Sequence, residues 1–229
     1  MPGLVTPGPY WASVVLGATL CAGLCVTARW RPGPWTVVAA RLIGVALVAD
    51  AVGYVVTLVV QGTFSWSTSL PLALCNVAVI VAAAACWWRE PLLVELTYFW
   101  GLAGTIQGLI TPDLGVGFPH LVFFQYVLGH VGIVTAALFL VVGMGIEPRR
   151  GAPWRVFAIT IAYAAFVGLV DASSGADYMF LRAPPANWTL LRLLGPWPWY
   201  LASAAGVALG LLFLLDLPFR SHRRRPAGP

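Results

Sequence analysis

Apolar positions along the chain gather into long runs, separated by short stretches rich in proline, glycine and arginine. Seven runs reach the roughly 20 residues needed to span a bilayer as a helix. They cover 10–28, 36–60, 70–88, 92–110, 121–145, 155–172 and 199–219. The breaks include Arg31-Pro32-Gly33-Pro34, Thr111-Pro112-Asp113, Glu147-Pro148-Arg149-Arg150 and Gly195-Pro196-Trp197-Pro198. Proline and glycine interrupt helices, so each break marks a turn. The pattern predicts an all-α polytopic membrane protein with seven transmembrane helices. It forms a single domain over 1–229, with a basic tail at 220–229.

Composition supports a bilayer as the solvent. The 229 residues are 60% hydrophobic and 9% charged, with a mean hydropathy of +0.86. A water-facing domain carries about a quarter charged residues. All thirteen basic residues are arginine. Without lysine there is no amine for a retinal or pyridoxal Schiff base, nor for a phosphate-loop contact. The arginines sit in short loops rather than on one stripe, which argues against nucleic acid as a partner.

Ten arginines fall on one side when the N-terminus is placed outside: Arg29, Arg31, Arg89, Arg149, Arg150, Arg155, Arg220, Arg223, Arg224 and Arg225. The outer loops hold Arg182 and Arg192, and Arg41 lies within the second run. The positive-inside rule then gives an outer N-terminus and a cytoplasmic C-terminus. The tail from Ser221 to Arg225 reads as an anchor to anionic headgroups. Tryptophans near the run ends, such as Trp30, Trp66, Trp88 and Trp199, read as an interfacial belt. Gly104–Gly108 and Gly206–Gly210 are small-xxx-small pairs, expected to pack helices within the chain.

Ionisable or polar groups inside a span are costly and so are candidates for function. With a 1.5 Å rise per residue, Cys75 lies roughly 8 Å, His130 roughly 13 Å and Asp50 roughly 15 Å below the outer surface. Gln107, Thr105 and Asp171 also fall in the outer half. Five helices thus bring polar groups to one level. A lipid-buried thiol is a poor nucleophile until a base takes its proton. An imidazole suits that task, and a Cys–His pair supports covalent acyl transfer. Asp50 or Asp171 is expected to orient the imidazole, and Asn76 or Gln107 to stabilise an oxyanion. Each residue also has a plain reading: Cys21, Cys25, Cys86 and even Cys75 as packing groups, His130 as a helix-to-helix hydrogen bond, and Glu95 as a partner of Arg89. His120 sits at the outer rim, where headgroup contact is expected.

A zinc site needs three ligands. Only His120 and His130 lie on the outer side, His222 being in the tail, so neither a metal nor any other cofactor is assigned. The outer loop carries Asp177 and Arg182. Arg182 is placed to grip a lipid phosphate or, more simply, to meet Asp177. Asn187-Trp188-Thr189 matches a glycosylation sequon.

Several runs in order carry a family resemblance: Leu70-Pro71-Leu72-Ala73-Leu74-Cys75-Asn76, Glu95 to Gly101, Gln107 to Asp113, Phe118-Pro119-His120, Gly129-His130, Asp177-Tyr178-Met179 with Leu181-Arg182, and Leu194 to Tyr200. Over about residues 65 to 219 the chain resembles the YwaF-like bacterial integral membrane proteins. It departs from them at Ala73, where a polar residue is often found. More remotely it is similar to eukaryotic membrane acyltransferases acting on ether lysophospholipids. That resemblance implies a nucleophile at Cys75 and a base at His130. The expectation is a cell-membrane, bacterial lipid acyltransferase or acyl hydrolase with phospholipids or lysophospholipids as partners. A transporter or small-ligand receptor using the same pocket is the alternative, and a non-catalytic scaffold the third. The oligomeric state is left open.

Overall fold

The structure is a computed structural model that describes residues 7–112, 114–184 and 189–224. Asp113, the Asn187 and Trp188 of the sequon, Arg225 and the side chains of the tail from Ser221 to Arg224 lie outside the described residues. The described chain is helical, with no strand: α1 (Pro7–Trp30), α2 (Pro34–Val60), α3 (Leu74–Trp88), α4 (Pro91–Phe99), α5 (Ile106–Ile110), α6 (Leu121–Leu138), α7 (Ala152–Ser174) and α8 (Trp199–Arg224). A π-helical turn, Trp100–Thr105, joins α4 to α5, and a second, Phe139–Gly143, extends α6.

Five of these helices are long and apolar enough to cross a membrane: Pro7–Trp30, Pro34–Val60, Leu121–Gly143, Ala152–Ser174 and Trp199–Arg220. The other two expected spans differ for local reasons. The third run forms helix only from Leu74. Pro71 lacks an N–H and disfavours helix at the residue before it, so residues 66–73 form turns instead. The 15-residue α3 is therefore about 22 Å long, short of a typical hydrocarbon core. The fourth run is helical throughout but interrupted by its π turn.

Helix limits follow the chain chemistry. Pro34 and Pro91 stand in the first turns of α2 and α4, where a missing N–H costs nothing. Gly175, at φ +73°, closes α7 and donates its N–H to the Asp171 carbonyl at 3.0 Å, a left-handed cap that glycine adopts without strain.

Packing is close where side chains are small. α2 lies on α3 and α6, α3 also on α4, and α1 on α6; α7 and α8 pair beside α4. Ala78, Ala82, Ala85 and Cys86 of α3 are buried. A Cβ added at Gly44 of α2 would stand 3.1 Å from the Ala83 carbonyl, so these helices touch nearly backbone to backbone. Cys21, Cys25 and Cys86 are free and buried, and Cys75 is free and half-buried. Gly206 and Gly210 behave otherwise than expected, with open space beyond both, because that face of α8 points away from the bundle.

One end of the bundle is closed by a polar knot. Glu95 of α4 is 1% exposed. It receives Nε and Nη2 of Arg149 at 2.8 and 3.1 Å, the Arg149 backbone N–H at 3.0 Å, and Nε and Nη2 of Arg155 at 2.9 and 3.1 Å. Its partners are these two arginines rather than Arg89, which instead donates to the Cys86 carbonyl at 3.4 Å. The fork geometry of guanidinium explains the choice, since two arginines fill both carboxylate oxygens. Beyond the bundle, the Glu95 contact holds the Arg149 guanidinium more firmly protonated than usual.

Candidate functional site

Toward the opposite end, a cavity of about 100 Å³ lies between α2, α3 and α6. Asp50 and Tyr54 come from α2, Cys75 and Asn76 from α3, and Gln125, Tyr126 and His130 from α6. A volume of that order holds several water-sized groups.

Cys75 owes its place to the short α3. It is the second residue of the helix rather than lying a turn and a half inside, so it sits beside the positive end of the helix dipole. The turn before it is tied down by two tyrosines. Tyr163 of α7 donates to the Leu72 carbonyl at 2.8 Å. The Tyr178 hydroxyl donates to the Trp66 carbonyl at 2.7 Å and accepts from the Leu70 N–H at 3.1 Å. The Thr105 hydroxyl, carried by the π turn, stands beside the Cys75 thiol, but outside good hydrogen-bond geometry, and it has no other partner among the described residues.

His130 is oriented by its own helix. Nδ1 lies 2.9 Å from the Tyr126 carbonyl. A carbonyl only accepts, so Nδ1 carries the proton, and the neutral ring presents Nε2 as a bare lone pair. The ring stacks on Tyr126 with centroids 4.0 Å apart. Tyr126 is fixed in turn by donating its hydroxyl to the Gly108 carbonyl at 2.8 Å. Gly108 must be small: a Cβ there would stand 3.1 Å from Nε2. Gly129 plays the same part for α2, since its Cβ would fall 2.9 Å from Asp50 Oδ2.

Of the residues predicted from sequence, Asp50, Cys75, Asn76 and His130 line this cavity. Asp171 does not. It is fully buried, Oδ1 accepts from the Tyr178 N–H at 3.0 Å, and Oδ2 has no partner among the described residues. Neither Asp171 nor Asp50 is hydrogen-bonded to His130; the Tyr126 carbonyl takes the orienting role expected of a carboxylate. Gln107 stands on α5 outside the lining, and His120 is exposed as the cap of α6, accepting from the Val122 N–H at 3.2 Å. Arg182 is exposed; its Nη1 donates to the Asp171 and Ala176 carbonyls at 3.4 and 3.3 Å. Asp177 meets the Arg182 backbone N–H at 2.8 Å, not the guanidinium. Arg41 lies over the Trp87 ring, 5.1 Å from its centroid, rather than near Asp50.

Sequence reasoning passed over Gln125 and Tyr126. A glutamine in an apolar run was a legible signal, as Gln107 was. The Tyr126 carbonyl was not, because a backbone acceptor leaves no mark on residue type.

Residues 6–216 match the model of the TMEM164 family. This chain belongs to the TMEM164 family. A TMEM164-type chain with this helical content and apolar composition is a membrane protein. An uncharacterized protein of Treponema pallidum (strain Nichols) is similar to it, 28% identical over 159 residues, covering 68% of this chain. The match spans 64% of that relative's length. No solved structure matches this member of the family.

Proposed function

We propose that this TMEM164-family protein is an integral membrane lipid acyltransferase, or acyl hydrolase, working through Cys75 and His130. The observation that supports this reading is the cavity shared by a thiol at a helix N-terminus and an imidazole with its Nε2 lone pair free. His130 Nε2 takes the Cys75 proton as sulfur attacks the carbonyl carbon of a phospholipid ester. Negative charge grows on the carbonyl oxygen, and the Asn76 amide in the same cavity is suited to donate to it. The carbon–oxygen bond then breaks, and the departing alcohol takes the proton from His130. The acyl group is left as a thioester on Cys75. An acceptor hydroxyl gives its proton to Nε2 and attacks the thioester, and the Cys75 sulfur leaves and takes that proton back from His130. Water in place of the lipid acceptor makes the same cycle a hydrolase.

In this reading α3 and the α4–α5 rod complete a seven-span bundle in the cell membrane of a bacterium, with the N-terminus outside. The cavity then opens toward the outer leaflet, and the exposed Arg182 meets a headgroup phosphate. Purified protein given a diacyl phospholipid and a lysophospholipid should move the acyl chain between them. Cys75→Ala and His130→Gln should each abolish turnover at unchanged folded yield. Turnover retained in Cys75→Ala rejects the role, and lipid flux surviving both substitutions favours a transporter.

A further inference from the structure

A threonine inside an α-helix commonly donates its hydroxyl to the carbonyl four residues back. Thr19, Thr27, Thr57, Thr97 and Thr160 do so in this chain, at 2.7–2.8 Å. Thr105 does not. It is 1% exposed, and its Oγ1 is buried with no hydrogen-bond partner among the described residues. The π turn accounts for the exception. The Gly101 carbonyl, which an α-helix would offer to Thr105, is taken by the Ile106 N–H five residues on. The wider turn leaves the hydroxyl without its usual acceptor. The same turn packs on the start of α3: a Cβ at Gly104 would stand 3.6 Å from Leu74 Cδ2. The residues that follow these two are Thr105 and Cys75, and the hydroxyl comes to rest beside the thiol.

We propose that Thr105 is a positioning residue for Cys75, whose hydroxyl, released from its own helix by the π turn, donates to the sulfur as the thiol loses its proton. A neutral thiol accepts weakly, so the hydroxyl stays unmatched while Cys75 is protonated. A thiolate accepts strongly. When the S–H bond breaks, the proton passes to His130 Nε2 and the electron pair stays on sulfur, where the Thr105 O–H meets it. The other titratable groups about the cavity are Asp50 and Tyr54 of α2 and Tyr126 and His130 of α6. Tyr126, and Tyr163 of α7 behind the turn before α3, give their hydroxyl protons to backbone carbonyls. Glu95 of α4 is held by Arg149 and Arg155 at the other end of the bundle. That the thiolate goes on to attack an ester rests on the acyl-transfer reading; the hydrogen bond itself does not.

The test is alkylation by iodoacetamide of the full chain in detergent, from neutral to alkaline pH, with the label mapped to Cys75 by peptide mass spectrometry. Thr105→Val keeps the shape and removes the donor, whereas Thr105→Ser keeps the donor. At neutral pH Thr105→Val should react about tenfold more slowly than wild type, as loss of a hydrogen bond to a charged group implies. The gap should close at alkaline pH, where the thiolate forms without help, and Thr105→Ser should react as wild type does. The unfolding temperature of Thr105→Val should not fall, because the hydroxyl it removes has no structural partner. Equal rates at every pH, a gap that stays constant with pH and so reports altered access, or a wild-type Cys75 that takes no label would each overturn the proposal. So would failure of Thr105→Val to fold, since the hydroxyl would then serve the structure. The predicted alkylation profile in a protein that transfers no acyl chain would reject the acyltransferase reading and leave the Thr105 contact standing.

Discussion

Two carboxylates in the bundle interior stand in contrast. Glu95 receives five hydrogen bonds from Arg149 and Arg155, whereas Asp50 Oδ1 receives none from the described residues. Glu95 is fully buried and Asp50 half-buried, but the Asp50 Oδ1 atom is itself buried, so burial alone does not explain why one is paired and the other is not. A buried acceptor left unmade costs about 1–3 kcal/mol, and more for a charged group. Among the described residues the fold completes the Glu95 knot but leaves Asp50 Oδ1, Gln125 Oε1 and Thr105 Oγ1 unpaired around the cavity, as it leaves Asp171 Oδ2 outside it. On the proposed reading, Glu95 serves stability and the Asp50 end serves chemistry.

The largest expected effect lies at the incomplete end. Cys75→Ala should lower acyl transfer by about a thousandfold or more, with thermal unfolding in detergent unchanged; a clear fall in unfolding temperature would make Cys75 a packing residue. Glu95→Ala should do the reverse. Both arginines are at least a third exposed, so water recovers part of the loss, and the cost should be about 2–3 kcal/mol. Turnover per folded molecule should stay near wild type, and a loss of turnover would erase the contrast between the two ends. Gly108→Ala probes the boundary. Its methyl would press on the His130 ring, and a misplaced base should reduce turnover by roughly 10–100-fold with little change in stability. The smallest effect is expected at Tyr178→Phe. It removes the hydroxyl bridging Trp66 and Leu70 and should cost about 1 kcal/mol, read as a modest fall in unfolding temperature. A fall as large as that of Glu95→Ala would mean the loop before Cys75 is part of the structural core.

Sequence sets an expected depth for these residues but not their direction. Apolar run length locates helices, and the helical rise puts Asp50, Cys75, His130 and Asp171 at similar levels. Whether they face one another depends on how each helix is rotated, and depth does not encode rotation. Asp171 illustrates the gap, since its carboxylate is turned toward Tyr178 rather than the cavity. The short α3 was legible in part, because Pro71 lay within the expected span. Its consequence, a cysteine in the first helical turn, required knowing where the helix begins. Gly108 and Gly129 could be seen as small residues, but the imidazole and carboxylate pressed against them could not.

The central claim is that the incomplete end holds a working nucleophile. Intact mass spectrometry of the protein after incubation with a defined diacyl phospholipid, with no acceptor lipid added, tests it directly. The account predicts a mass gain of one acyl chain, mapped to Cys75 and removed by hydroxylamine. An adduct that persists in Cys75→Ala, or none across phospholipid classes while the acyl chain is still transferred, would contradict it.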